Sequence, residues 1–191
     1  MLVNPERRSL YFKQPVSVGE IFEGSTLKTE LQREQVTASG SRFAIVVSRW
    51  HRELTSKMES GAVDALRSAG ADNASIEVFG VPGSFELPLA SLKAAESGNF
   101  DAVISLGVVI RGETPHFDYV AGQAAAGIMQ AALQTGIPVM FGVITANTAE
   151  QARQRAGDGT DNKGYEAAVS AIEMVNLFRE MDRAKVQGGG D

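Results

Sequence analysis

The stretch that most limits what this chain can fold into is residues 104–119, Ile-Ser-Leu-Gly-Val-Val-Ile-Arg-Gly-Glu-Thr-Pro-His-Phe-Asp-Tyr. Its first seven residues are uncharged and mostly apolar, the pattern of a strand buried on both faces, as in a parallel sheet. The Arg-Gly-Glu-Thr-Pro that follows cannot continue a strand. A helix start near Asp118 is expected next, leading into an Ala- and Gly-rich segment. Strand end, glycine-bearing loop and helix start leave orphan N–H groups and the positive end of a helix dipole facing one place, which suits an anion. Arg111 and Thr114 offer further donors, and His116 offers a group that exchanges protons near neutral pH. Read alone, the stretch points to chemistry on a small phosphorylated molecule.

The rest of the chain follows the same alternation. Residues 43–47 read as a buried strand and 48–51 as its loop. Ser56 and Glu59 have capping-box spacing, so a helix is expected to open there. Met58, Ala62, Ala65, Leu66 and Ala69 then keep helical spacing, and Gly70 ends it. A strand over 76–81 stops at Pro82-Gly83, and a helix over 88–97 follows. The helix after residue 118 ends at Gly136-Ile137-Pro138, before a strand over 139–144. A short helix over 148–156, a Gly-rich loop over 157–164 and a last helix over 165–185 complete the pattern, the last carrying Ala168, Ile172, Val175 and Phe178 on one face.

Strands separated by single helices predict an α/β fold, a parallel four-stranded sheet with helices on both faces. Ligands of such sheets bind at the carboxyl ends of the strands. That rule gathers the loops 48–51, 82–86 and 111–116 and the region after Phe141, bringing Trp50, Phe85, Glu86, Arg111, Thr114 and His116 together. Two aromatics, a carboxylate, a cation and an imidazole suit a flat, polar-edged heterocycle beside a phosphate.

Composition narrows the class. The 191 residues make one domain with a sizeable core. No cysteine is present, which excludes disulfides, thiolate metal sites and cysteine nucleophiles. A net charge of -5 without a basic stripe argues against nucleic acid, and no run is long enough for a membrane helix. The N-terminus lacks the pattern of a secretory leader, so a cytoplasmic location is expected. Residues 1–41 read as an N-terminal extension with a linker at 37–41; within it, 21–27 is either a strand on a sheet edge or part of a disordered tail, and 29–35 can make a helical turn. The catalytic domain is placed at 42–185, and 186–191 reads as a flexible tail.

Each candidate also has a plainer reading. His116 taken alone is more often a surface-loop histidine than a catalyst, though its place between a strand end and a helix start favours catalysis, and His51, among charged neighbours, reads as solvated. A lone tryptophan is more often packing than recognition, whereas Phe85 beside a tight turn is poorly placed for a core. Glu86 suits a helix N-terminus as well as a substrate. Arg155 and Lys163 flank the Gly-rich loop, solvated or on a phosphate. The small residues of 121–132 permit close helix packing within or between subunits. Neither a Walker loop nor a dinucleotide fingerprint is present, and two histidines without carboxylate spacing make a poor metal site.

Taken together, Val81-Pro82-Gly83-Ser84-Phe85-Glu86, the segment from Gly107 to Tyr119, Phe141-Gly142-Val143, Arg155-Ala156-Gly157, Asn162-Lys163-Gly164 and Ser170-Ala171-Ile172-Glu173-Met174 resemble 6,7-dimethyl-8-ribityllumazine synthase of riboflavin biosynthesis. The resemblance runs from about Phe43 to Phe178, and implies a flavodoxin-like three-layer sandwich with an N-terminal edge strand. It implies condensation of 5-amino-6-(D-ribitylamino)uracil with 3,4-dihydroxy-2-butanone 4-phosphate, without cofactor or metal. It makes His116 the proton-transfer residue. Trp50, Ser84, Phe85, Glu86, Val108, Val109, Ile110 and Phe141 become pyrimidine-site residues. Arg111, Gly112, Glu113, Thr114, Arg155 and Lys163 become phosphate-site residues, with Phe141, Arg155 and Lys163 reaching the site of an adjacent subunit.

The implied partners are those substrates, further copies of the chain and riboflavin synthase, with no nucleic acid or membrane. Implied assemblies are a pentamer, a pair of pentamers, or an icosahedral shell of twelve; the uninterrupted loop 157–162 leans toward the shell. Position 50, commonly Phe in the family, is Trp here, from which tighter flavin binding is expected. The N-terminal extension is longer than is usual in the family: residues 21–27 weakly resemble the family's edge strand, and the first twenty residues match nothing in it. The competing expectation is a catalytically weak flavin-binding or shell-forming protein of the same fold.

Overall fold

A computed structural model describes residues 37–187; the edge strand and helical turn expected within residues 1–36, and the end of the chain at 188–191, lie outside them. The elements are β1 (Phe43–Ser48), α1 (Arg52–Ser68), β2 (Ile76–Val81), α2 (Leu87–Glu96), β3 (Ala102–Ile110), α3 (His116–Thr135), β4 (Val139–Ala146), α4 (Ala149–Arg155) and α5 (Lys163–Gln187). Short 3-10 turns at Asn73–Ser75 and Ser84–Glu86 precede β2 and α2. The strands form one four-stranded parallel sheet in the order β2-β1-β3-β4.

The expected strand chemistry explains that order. All six residues of β1 are buried, and β3 is buried up to Val109, as central strands covered on both faces must be. Alternate residues serve separate cores. Phe43, Ile45 and Val47 join Ile104, Leu106 and Ile144 beneath α1 and α5. Ala44, Val46, Val103, Val139 and Val143 face the other way, with Leu87 of α2 and Ile128 and Ala131 of α3. The predicted α/β sandwich with helices on both faces is therefore the observed one.

Several boundaries differ from the sequence reading. The Ser56–Glu59 pattern does not open α1: Ser56 lies inside the helix, its Oγ donating to the Arg52 carbonyl. The helix begins at Arg52, where His51, in the left-handed conformation with φ 57°, turns the chain and accepts from the Leu54 and Thr55 N–H groups. α3 opens at His116 rather than near Asp118, and α5 opens at Lys163 rather than Tyr165. The linker expected at 37–41 is packed instead. Ala38 is fully buried and its N–H donates to Ala69, while Asn176 and Arg179 of α5 donate to the Thr37 and Gly40 carbonyls.

Candidate active site

The chain leaves β1 toward β2 on one side, then crosses to β3 on the other, so β1 and β3 flank the point where the winding reverses. Such a point opens a crevice at the carboxyl ends of the strands. A cleft of about 580 Å³ lies there, lined by the loops after β1, β2 and β3, a volume ordinary for a small-molecule site.

One end of the cleft is built by Trp50, His51 and the turn 83–86. Trp50 follows the last residues of β1 and is 70 % exposed, so it is not part of the core. Phe85 is likewise exposed, carried on the 3-10 turn that Gly83 initiates. The Glu86 carboxylate accepts from the Gly83 N–H at 2.8 Å through Oε2, which fixes the turn, while the residue also lines the cleft. The local role of Glu86 is thus compatible with its place in the cleft lining. Ser84 is buried and its hydroxyl lies 3.5 Å from the Val108 carbonyl. That approach depends on Gly107: a Cβ there would sit 2.5 Å from the Ser84 hydroxyl and 2.9 Å from a Leu87 methyl. The glycine in β3 therefore lets the 83–86 turn settle against the strand, leaving Val108, Val109 and Ile110 as the cleft floor.

The other end is the loop between β3 and α3. Gly112 and Thr114 line the cleft, and so does His116, the first residue of α3. The Asp118 N–H turns back to the Pro115 carbonyl at 3.0 Å, while the His116 and Phe117 amides precede any intrahelical carbonyl, so this end carries donors and partial positive charge. Arg111 is engaged elsewhere. Its Nη2 and Nη1 donate to the Asp118 carboxylate at 2.8 and 3.2 Å, and its Nε donates to the Asn147 side chain at 3.2 Å. The guanidinium also lies 4.2 Å from the Phe117 ring centre. Hydrogen bonding to Arg111 holds the Asp118 carboxyl below its usual range; partial desolvation opposes this, and the charge attraction adds to it. The same hydrogen bond raises Arg111 above its ordinary value.

Of the residues singled out in the sequence, the cleft brings together Trp50, Ser84, Phe85, Glu86, Val108, Val109, Ile110, Gly112, Thr114 and His116. Arg111, Glu113, Phe141, Arg155 and Lys163 do not line it. Phe141 stands 45 % exposed on β4, an edge strand. Arg155, the last residue of α4, donates to the Gln151 carbonyl, and Lys163 pairs with Glu166 on its own helix at 2.5 Å.

The cleft also includes residues the sequence reading passed over: His51, read as solvated, and Gly83, Phe117, Tyr119 and Val120. His51 is the sole non-glycine at positive φ among the described residues, a conformation uncommon enough to draw attention to a site. Asn162 was passed over as well. It is buried, its side-chain oxygen accepts from the Gly164 and Tyr165 N–H groups at 2.8 and 3.2 Å, and its amide donates to the Lys57 and Gly157 carbonyls. It caps α5, and its position directly before Lys163 was the available signal. No group of residues suited to a metal ion occurs among the described residues, and no helix among them is long and apolar enough to cross a membrane.

Residues 40–179 match the family of 6,7-dimethyl-8-ribityllumazine synthase. The chain belongs to that family. It is 52% identical over 145 residues to the 6,7-dimethyl-8-ribityllumazine synthase of Chlorobium phaeobacteroides, spanning 76% of this chain and 94% of that protein. Similarity to the Chlorobium chlorochromatii enzyme of the same name is equal, 52% over 146 residues, with 76% and 94% covered. The aligned portion contains the whole lumazine synthase sheet and cleft, and the family assignment agrees with the observed α/β sandwich.

Proposed function

We propose that this lumazine synthase condenses 5-amino-6-(D-ribitylamino)uracil with 3,4-dihydroxy-2-butanone 4-phosphate, giving 6,7-dimethyl-8-ribityllumazine, inorganic phosphate and two waters. The observation that carries the reading is the pairing of an aromatic, carboxylate-bearing end with a donor-rich end holding an imidazole, in one cleft of a chain from this family. In the first step the pyrimidine amine adds to the ketone and one water leaves, forming a Schiff base. Removal of a proton next to the imine carbon then expels phosphate. After tautomerisation, the ribityl-bearing nitrogen attacks the remaining carbonyl, and loss of the second water closes the ring.

Trp50 and Phe85 offer faces for the pyrimidine, with Ser84, Glu86 and the 108–110 backbone at its edge. Gly112, Glu113 and Thr114 offer loop amides and a hydroxyl to the phosphate, and His116 takes and returns protons between the two ends. Amine and ketone are intrinsically reactive, so holding them together supplies much of the rate. Supplying both substrates and following lumazine absorbance with phosphate release tests this. Phosphate release no faster than in a protein-free mixture would refute it. The presence of His116, Arg155 and Lys163 weighs against a protein that has kept the fold without turnover.

The reading extends to a homo-oligomer in the cytoplasm, a pentamer or a shell of twelve pentamers, in which Phe141, Arg155 and Lys163 complete a neighbour's cleft. Riboflavin synthase, which would consume the product, is the proposed protein partner. The oligomer is supported by the position of those three residues away from their own cleft, with Phe141 and Arg155 exposed, and by exposed Met129 and Leu133 on α3. Light scattering distinguishes the assemblies. Arg155→Ala is expected to raise KM for the phosphate substrate about tenfold, the worth of one charge-assisted contact of about 1.4 kcal/mol, with pyrimidine affinity unchanged. An unaltered KM would remove Arg155 from the site. Trp50→Phe, which shrinks the stacking face, is expected to weaken riboflavin binding about threefold to tenfold, judged by the roughly 0.5–1.5 kcal/mol of an aromatic pair. Equilibrium dialysis reads that change, and equal affinities would show that the larger ring adds nothing.

A further inference from the structure

We infer that Arg111 and Asp118 form a latch that holds the 112–116 loop in its phosphate-binding shape, so that Arg111 is a positioning residue and not a phosphate ligand. The inference rests on the reading of the cleft given above. The loop leaves the sheet at Arg111, the residue after β3, and re-enters regular structure at His116. The ion pair joins the two ends of that excursion: one partner stands at the strand exit, the other in the first turn of α3.

The strand end is itself anchored. The Arg111 N–H donates to the Ala146 carbonyl at 2.9 Å, its Nε reaches Asn147 in the next loop, and the Asn147 N–H donates to the Gln151 side chain at 2.9 Å. The guanidinium also lies against Phe117, beside His116. Three directions of a planar, forked cation are therefore taken up by protein groups: fork, Nε and a ring face. Turning the fork to a phosphate would break the bidentate pair, and Arg111 does not line the cleft whereas Gly112, Thr114 and His116 do.

The mechanism is one of populations. A ligand that binds only one loop shape loses affinity in proportion to the fraction of molecules holding that shape. The pyrimidine end, built from the loops after β1 and β2, does not depend on it. Loosening the latch should therefore act on one substrate alone, and saturating that substrate should restore the loop.

The test uses the full-length assembly with Asp118→Ala and Asp118→Glu. Asp118→Ala is expected to raise KM for 3,4-dihydroxy-2-butanone 4-phosphate about fivefold to tenfold, to leave kcat within about twofold, and to leave tryptophan quenching by the pyrimidine substrate unchanged. Asp118→Glu, which keeps the charge, should recover most of the loss. The opposite result, an unchanged or lowered KM in Asp118→Ala, is what a directly phosphate-binding Arg111 requires once its guanidinium is released, and it overturns the latch. A parallel loss of pyrimidine affinity also overturns it, since that marks general damage. Titration with inorganic phosphate alone separates this inference from the functional one. Phosphate weakened by Asp118→Ala in a protein without turnover would leave the latch standing and remove the reaction; normal turnover with unweakened phosphate would do the reverse.

Discussion

Gly164→Ala is expected to lower stability by about 3 kcal/mol or more, at the upper end of what overpacking costs. The reason lies in where α1 and α5 touch. A Cβ on Gly164 would sit 1.9 Å from the Met58 carbonyl oxygen, 2.6 Å from its carbon and 2.8 Å from its Cα. These are backbone atoms inside α1, so no rotamer change relieves the contact; the helices must move apart. Separation also reaches Asn162, whose side chain fills the notch left by Gly61, 2.8 Å from where a Cβ there would be. Its bond across to the Lys57 carbonyl would stretch, while its cap of α5 moves with that helix. Against a total of about 5–15 kcal/mol for an ordinary domain, such a loss is severe. Urea unfolding at one fixed protein concentration reads it, and a midpoint equal to that of the unaltered chain would show that the helices yield without cost.

His116→Ala should lower kcat by about 10²-fold to 10⁴-fold, the usual contribution of a placed proton-transfer group. KM for either substrate should change little, because the end proposed for the pyrimidine is built from other loops, and the end proposed for the phosphate also includes Gly112 and Thr114. Residual turnover should still exceed the free reaction, since both substrates remain held together. Steady-state rates at saturation decide the matter: turnover equal to that of the unaltered protein removes His116 from the chemistry.

How far this was legible in the sequence follows from which interactions are local. The β3 run announces a doubly covered strand because burial on both faces removes charge from every position. Three of the four loops expected together do line the cleft, since a parallel sheet collects its loops at one edge, while the region after Phe141 does not reach it. Helix starts were less legible. α5 begins two residues earlier than its apolar pattern because Asn162 caps it, accepting from the Gly164 and Tyr165 N–H groups, a polar signal that the apolar spacing does not carry. α1 begins early because His51 adopts a left-handed turn, while Ser56 and Glu59 reproduce capping spacing inside the helix by coincidence. Arg111 reads as a free cation only while its partner seven residues on is unseen. Phe141, Arg155 and Lys163 were grouped with the site by resemblance, and one chain alone does not bring them to its cleft.

The placement of the cleft between β1 and β3 has one more consequence. These strands are direct hydrogen-bonded neighbours, their ladder running as far as Val47 opposite Leu106, close to the end of β1 and midway along β3. Neighbouring strands are held about 4.8 Å apart by the ladder itself, so the spacing between the two ends of the cleft is a property of the backbone and not of any side chain. The sheet acts as a fixed ruler. Side chains at 50 or 85 can be exchanged while the step between the two ends of the cleft keeps its length.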